Sequence, residues 1–585
     1  MTYPFPPRPR ILNAAELLPT VYTIINQYRQ LHNKILQVIV PEHATFSNVV
    51  RPLADLQNQS QSNLDIIHLL RFVSTDLVTQ QASKQAIEAY KTAVNTWTRD
   101  PKLFQLLKAI RCRNENLDRE SALWLEQEFL QYTLLGHERL TYAEIDRFAD
   151  EELHLSSSIE KFPGFGEGGV WLSEDELQGV HTQIVDTWRR DTRQENEGKI
   201  YVPLTPANMW AILPEATHPE TRRKVHVAAE VLSPENAGRF KMIVIHRDGR
   251  ARDLGFKNHA EYCSARTLSL HPDDAEKFLA NMRGAHMAGT SSLLAMLQSL
   301  RIRDLKDRGL YTQGDEMDFP AWDYDYYLER LCRKRGVDEL AISRYFTMDH
   351  TIGAILHIIS QCFRLRFQQV PPQELNERDI WHKDVQVWGV WEAGPDNLFV
   401  GYLYLDLYQR DKKERGPEVK ILEELLDALI ETKAFYSTSK QSFHLEMASL
   451  DMRIHKPRTR RELVEMDIRA MSSQIRVETR GLGYPRCEDI GGYPTRYMHM
   501  LLGRYDASTY SYISGAVFAH DIYQTVFAKD TKNPDAWGRF RREILEYGGS
   551  YGDEAERFEK FLGRPFDVYA LSKRLQLELE RIGEV

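Results

Sequence analysis

Two histidines at i and i+4 on a helix face the same way. HExxH uses such a pair to bind zinc while the intervening glutamate serves as general base. This chain has no HExxH: its one His–Glu dipeptide, His137–Glu138, is followed by Arg139, Leu140 and Thr141. HxxEH is absent as well. A looser candidate lies near 440–456, where His444, Asp451 and His455 fall within about 40° of one another at helical periodicity. Asp451 and His455 have the i,i+4 spacing that suits a metal. His350 and His357, on another expected helix, read as core or edge histidines.

Other catalytic sets are weaker. Cys112, Cys263, Cys332, Cys362 and Cys487 are odd in number, far apart and without CxxC spacing. Neither a disulfide framework nor a cysteine-rich zinc site is expected, and free thiols in a reducing compartment are. There is no GxxxxGK[ST] phosphate loop. GFGEGG (164–169) departs from GxGxxG and reads as a surface loop. No serine is read as a nucleophile elbow, and no spacing favours cysteine–histidine catalysis.

Lys+Arg is 75 against 84 Asp+Glu, a net charge of −9 over 585 residues. That balance argues against a general nucleic-acid binder and against a polybasic membrane anchor. No apolar run is long enough for a transmembrane helix. The first residues, MTYPFPPRPR, lack the apolar core of a secretory signal, and their prolines work against an amphipathic transit helix. The cytosol is the expected compartment.

The elements that would position any site are mostly helices. Residues 11–160 read as long amphipathic helices, with helix formers throughout Ala82–Thr98. A glycine-rich break at 161–170 follows, and Ser173 three before Glu176 predicts a capping box opening a helix. Residues 196–216 read as strand and loop, and a helical stretch from near Thr217 is expected to run past Gly255. Pro272 with Asp273 and Asp274 marks another helix start, reaching about Arg303. Val385, Val387, Gly389 and Trp391 alternate, as do Phe399, Gly401, Leu403 and Leu405, with Asp396–Asn397 between, so 380–408 predicts a β-hairpin. Helical periodicity resumes at Ile421, and Asn533–Pro534 opens a late helix ending at Gly548–Gly549.

Several phrases resemble one family in order and spacing: THPETRRKV (217–225), LGFKNHAEY (254–262), AWDYDYY (321–327), WHKDVQVW (381–388), GYLYLDLYQRDKK (401–413), YDASTYSY (505–512), GGS (548–550) and FLGR (561–564). Together they resemble the thimet oligopeptidase/saccharolysin type of M3 metallopeptidases. The resemblance implies a mainly α, two-lobed, neurolysin-like fold with a deep central channel and a small β insert. It also implies short peptides as partners, cut by a zinc-bound water. On it, 1–160 is an N-terminal helical lobe, 161–379 continues the lobes and channel wall, and 380–585 is a remnant of the catalytic domain.

In the family the zinc helices follow the phrase found here as YLDLYQRDKKERG (404–416). Here that phrase runs almost directly into PEVKILEELLDALIE (417–431), which resembles the family helix after the metal ligands. The resemblance therefore implies one internal excision near 414–420, of roughly a hundred residues carrying HExxH and the third ligand, a glutamate. No metal site and no cofactor are expected for this sequence; zinc belongs to the family. Two causes stand: a real deletion that leaves a pseudo-peptidase, or an exon wrongly removed from the reading frame of an active zinc peptidase. A peptide-processing enzyme repurposed in a biosynthetic pathway is a further reading.

The resemblance also assigns LEMASLDMRIH (445–455) to a family helix whose Asp and His are not zinc ligands, so Asp451 and His455 are expected to hydrogen-bond in the core. It places the substrate loop at HMLLGRYDASTYSY (499–512). Tyr512 matches the tyrosine that stabilises the scissile carbonyl, by donating to a developing oxyanion. Tyr505, His499, Gly503, Arg504 and Thr509 are the expected substrate-binding residues. Thr509 stands where a further tyrosine is usual, Arg504 replaces a glycine, and His499 is one residue farther from Tyr505 than its counterpart. Gly481, Gly483, Gly491 and Gly492 match an upstream glycine loop.

Overall fold

The computed structural model describes residues 5–160, 168–190, 198–230, 235–267, 270–317, 319–334, 345–407, 423–482, 500–501, 505–548 and 554–574. Helices dominate, as expected, and the strands form two antiparallel sheets. Strands β1 (Gly169–Ser173), β2 (Arg189–Arg190) and β3 (Lys199–Pro203) lie in the order β1-β3-β2. Strands β4 (Leu365–Gln369), β5 (Gln386–Glu392) and β6 (Phe399–Leu405) lie in the order β4-β5-β6. The chain forms two compact units, one of residues 1–150, 343–419 and 525–565, the other of 151–342, 420–524 and 566–585. Among the described residues no helix is long and apolar enough to cross a membrane.

In the first unit the Ala14–Val38 helix opens at a capping box, in which Asn13 accepts from the Glu16 N–H at 3.1 Å and Glu16 from the Asn13 N–H at 3.0 Å. Leu17, Val21 and Ile24 pack on Leu64, Ile67 and Ile87 of the Arg51–Val73 and Leu77–Thr98 helices. Each such side chain contributes about 1.5–3 kcal/mol of burial. The hairpin expected over 380–408 is β5–β6, and β4 adds a third strand. Its turn holds Asn397 at φ 44°, a left-handed conformation that asparagine tolerates through local hydrogen bonding. His350 and His357 are both exposed on the Met348–Phe363 helix, where His357 meets Gln361 at 3.0 Å. The late helix spans Pro534–Glu543, and a short helical segment, Leu545–Tyr547, carries it to Gly548. The string GGSYG (548–552) does spell GxSxG, but a helical segment precedes it where an elbow needs a strand.

In the second unit Leu172, Ile200 and Val202 bury one face of the first sheet under Ile212, Val225 and Ala229. Three expectations change here. Ser173 and Glu176 do form the reciprocal capping bonds, at 3.2 and 2.8 Å, but they close a turn, and the next helix, the short Thr182–Val185, begins only after it. Gly179, at φ 98°, ends it, and a Cβ there would meet the Glu215 carbonyl oxygen at 2.3 Å. The expected loop after β3 is a helix, Pro206–Ile212, capped by Thr205 with proline in its first turn. The helix expected to pass Gly255 stops at Asp253, because Gly255 takes φ 90° just beyond its end. The Pro272–Asp307 helix starts as read and runs slightly longer.

The phrases 217–225 and 321–327 meet in this unit's core. Arg222, fully buried, donates from Nε to Asp323 at 2.8 Å and from Nη1 to the Ala216 carbonyl at 2.7 Å. Arg301 donates to the other Asp323 oxygen at 2.8 Å, and the Arg222 guanidinium lies 3.9 Å from the Tyr326 ring centre. Removing one partner of such a group leaves a buried charge uncompensated. Arg222→Met is therefore expected to lower stability by about 3–5 kcal/mol, read as a fall in the urea midpoint; a change under about 1 kcal/mol would contradict the buried pairing.

Candidate functional site

Three elements of the second unit build the site. The Glu423–His455 helix carries His444, Asp451 and His455; the His259–Thr267 helix carries His259, Cys263 and Arg266; residues 505–510 lead into the Ser511–Ile522 helix. Asp451 is the anchor. Its carboxylate accepts from the Ala507 N–H at 2.9 Å, the Thr509 N–H at 3.1 Å and the Thr509 hydroxyl. It also meets His455 Nδ1 at 2.8 Å. Ala507 sits at φ 54°, and such a conformation costs a non-glycine residue roughly 1–3 kcal/mol. The Asp451 bonds hold that bend in place. Asp451 and His455 thus hydrogen-bond in the core, as read from the sequence.

A second buried carboxylate, Asp506, pins the same loop to the other helix. His259 Nε2 lies 2.7 Å from Asp506, and Cys263 Sγ lies 3.2 Å from both. Arg266 meets the other Asp506 oxygen at 3.5 Å. Burial alone would raise the Asp506 carboxyl, but Arg247, the His259 bond and Arg266 together hold it well below its usual range. Burial pushes His259 down to about 4, against the pull of Asp506, so the imidazole is neutral at pH 7. Burial and Asp506 push the Cys263 thiol well up.

These bonds present two tyrosines. Tyr505 and Tyr512 each keep 39% of their surface exposed, and their rings stack at 5.9 Å and 12°. Tyr512 also stacks on His444 at 5.3 Å. Burial and its hydrogen bond with Tyr505 raise the Tyr512 phenol, so it stays protonated and able to donate. Thr509 is buried, its hydroxyl turned to Asp451, so it anchors the loop where an outward substrate contact was expected. His499, Gly503 and Arg504 lie outside the described residues, as do Gly483, Gly491 and Gly492. Sequence reasoning missed His259, Cys263 and Asp506. Their signal was the i,i+4 spacing of His259 and Cys263, with His259 and Asp506 inside two of the matching phrases.

His259, Cys263 and Asp506 are the group among the described residues whose ligand atoms lie close enough for a metal. Their surroundings do not fit one: two guanidinium groups, of Arg247 and Arg266, already balance the carboxylate. The zinc that the resemblance implies does not fit either, since no HExxH exists in the sequence. The cluster instead makes a stability prediction. An unfolded His259 takes a proton near 6.5 and the folded one near 4, so its contribution is lost as pH falls through that window, by about 3 kcal/mol. The Asp506 contribution, present above the unfolded carboxyl value, is lost only at lower pH. Urea midpoints at pH 7, 5.5 and 4.5 are expected to fall less steeply in His259→Gln than in the natural protein. Parallel slopes would refute the neutral imidazole.

The chain is similar to known proteins over most of its length. Peptidase family M3 matches residues 212–418 and 415–577, two stretches that meet at 415–418. Saccharolysin of Saccharomyces cerevisiae is 21% identical over 672 aligned positions, covering 95% of this chain and 92% of that protein. Oligopeptidase PhomG' of Diaporthe leptostromiformis is 22% identical, covering 91% of this chain and 52% of that protein, so the chain spans about half of its length. The crystal structure of oligoendopeptidase-F from Enterococcus faecium shares the fold, with a TM-score of 0.53 at 10% identity over 98% of this chain and 99% of that one. With matched family segments on both sides of 415–418 covering well over half of its length, the chain belongs to peptidase family M3.

Proposed function

We propose that this protein binds short peptides at the Tyr505–Tyr512 face and does not hydrolyse them with zinc. The observation that carries the reading is the junction. The family match breaks at 415–418, where the sequence runs from the β-hairpin phrase directly into the helix expected after the metal ligands. No HExxH occurs anywhere else. The general base and both histidine ligands of the family's chemistry are thus missing together, while the carbonyl-binding tyrosines remain. Tyr512, protonated and exposed, donates to a peptide carbonyl; Tyr505 sets its ring orientation. A cytosolic setting is consistent with Cys112, Cys263, Cys332 and Cys362, all free thiols.

A second reading, an active zinc oligopeptidase whose reading frame lost an exon, fits the same junction. The alignment with saccharolysin spans 672 positions against 585 residues here, so that relative carries residues this chain lacks. Sequencing the transcript across codons 410–425 decides it: a longer frame containing HExxH establishes that reading, and an uninterrupted junction removes it.

For the 585-residue protein, mass spectrometry is expected to find no stoichiometric zinc. A quenched oligopeptide is expected to stay intact with or without added metal, and chelator-sensitive cleavage would overturn the proposal. Tyr512→Phe, which deletes one donor, is expected to weaken peptide binding about 2–10-fold in fluorescence anisotropy. An unchanged affinity would remove the tyrosine face from the binding site.

A further inference from the structure

The second unit also contains a recess of about 240 Å³ that the tyrosine face does not use. Trp210, Leu213, Tyr324 and Phe443 give it an apolar and aromatic wall, and Asp325 and Arg480 face it. It adjoins the tyrosines through the sequence: Phe443 lines it, and the next residue, His444, stacks on Tyr512. Sites for drug-sized ligands run to roughly 300–1,000 Å³, so this recess suits one side chain.

Its charged groups are paired unevenly. Arg476 donates to Glu446 at 3.0 Å and to Glu230 at 3.5 Å, and Arg480 meets Glu446 at 3.5 Å. His226, which also lines the recess, lies 3.9 Å from Glu230. Arg476 is thus hydrogen-bonded to carboxylates, whereas Arg480 has an ion contact and keeps its buried Nε without a hydrogen-bond partner among the described residues. The Asp325 carboxyl takes no hydrogen bond and no ion pair among the described residues; burial pushes it up, and only the attraction of Arg480 opposes that. A carboxyl that needs an incoming cation in order to ionise, beside aromatic faces, matches a flat cation. A guanidinium offers two parallel N–H donors to a carboxylate and stacks on aromatic rings, which an ammonium does less well. A ligand carboxylate would have to share the recess with the Asp325 carboxyl.

We propose that this recess is a pocket for an arginine side chain of the bound peptide, with Asp325 receiving the guanidinium and Trp210 and Tyr324 supplying the aromatic wall. The proposal rests on the peptide-binding reading and specifies which peptides that reading concerns.

The test compares labelled pentapeptides that differ only in arginine or citrulline, its neutral isostere, together with blocked arginine and blocked glutamate as single-residue probes. The arginine peptide is expected to bind about 10-fold more tightly than the citrulline peptide, and Asp325→Asn is expected to abolish that difference. Trp210→Ala, at a residue 77% exposed and so safe for folding, is expected to weaken the arginine peptide more than the citrulline peptide. Equal binding of the two peptides by the natural protein overturns the arginine pocket and leaves peptide binding intact. Binding of blocked arginine, seen by ligand-observed NMR and lost in Asp325→Asn, with neither peptide bound, supports the pocket and overturns the peptide reading. Binding of none of these probes overturns both, and a preference for blocked glutamate overturns the assignment of Asp325.

Discussion

The bend at Ala507 is the constraint on which the tyrosine face depends. An alanine at φ 54° is unfavourable in isolation and must be over-determined by its surroundings. Asp451 does this from a helix, by accepting the N–H groups on either side of Ser508. A carboxylate that accepts several backbone donors makes charge-assisted bonds, which are stronger than neutral ones. The same bend turns Asp506 inward to His259 and leaves Tyr505 at the surface. One inward and one outward residue, set side by side, thus convert helix packing into a fixed exposed ring.

The two carboxylates act differently because their surroundings differ. Asp451 faces mainly N–H and hydroxyl donors and works as a cap for a loop. Asp506 faces Arg247 and Arg266, so its charge is balanced without a charged histidine. That explains how His259 can be neutral while 2.7 Å from an ionised acid. It also explains why a cluster with metal-like spacing is a hydrogen-bond network. A divalent cation beside two guanidinium groups would meet like charge.

Much of the fold was legible in local sequence signals. The alternation of Val385, Val387 and Trp391 gave a strand, and Asn533–Pro534 gave a helix start, because each depends on side-chain period and capping alone. The misreadings came where tertiary contacts decide. Ser173 and Glu176 form their box, yet Gly179 and the nearby Glu215 carbonyl end the turn before a helix can propagate. At the site, the tyrosines and the Asp451–His455 pair could be read from phrases and spacing. The partnership of His259 with Asp506 could not, since 247 residues separate them and only folding brings them together. Asp325 was equally hidden: its significance lies in facing the recess with no hydrogen bond or ion pair among the described residues, which a sequence cannot express.

The supports of the tyrosine face lie on both sides of the junction near 415–418. His259 and Arg266 come from before it, and Asp451, Asp506 and Ala507 from after it. None of these anchoring bonds uses a residue between 408 and 422. A segment lost at that place takes away chemistry without removing an anchor. Buried polar groups resist such change more strongly than apolar packing does, because losing one partner leaves the other unpaired in a low-dielectric interior. The bend, the two carboxylates and the exposed rings therefore form a unit whose anchors do not depend on the residues at the junction.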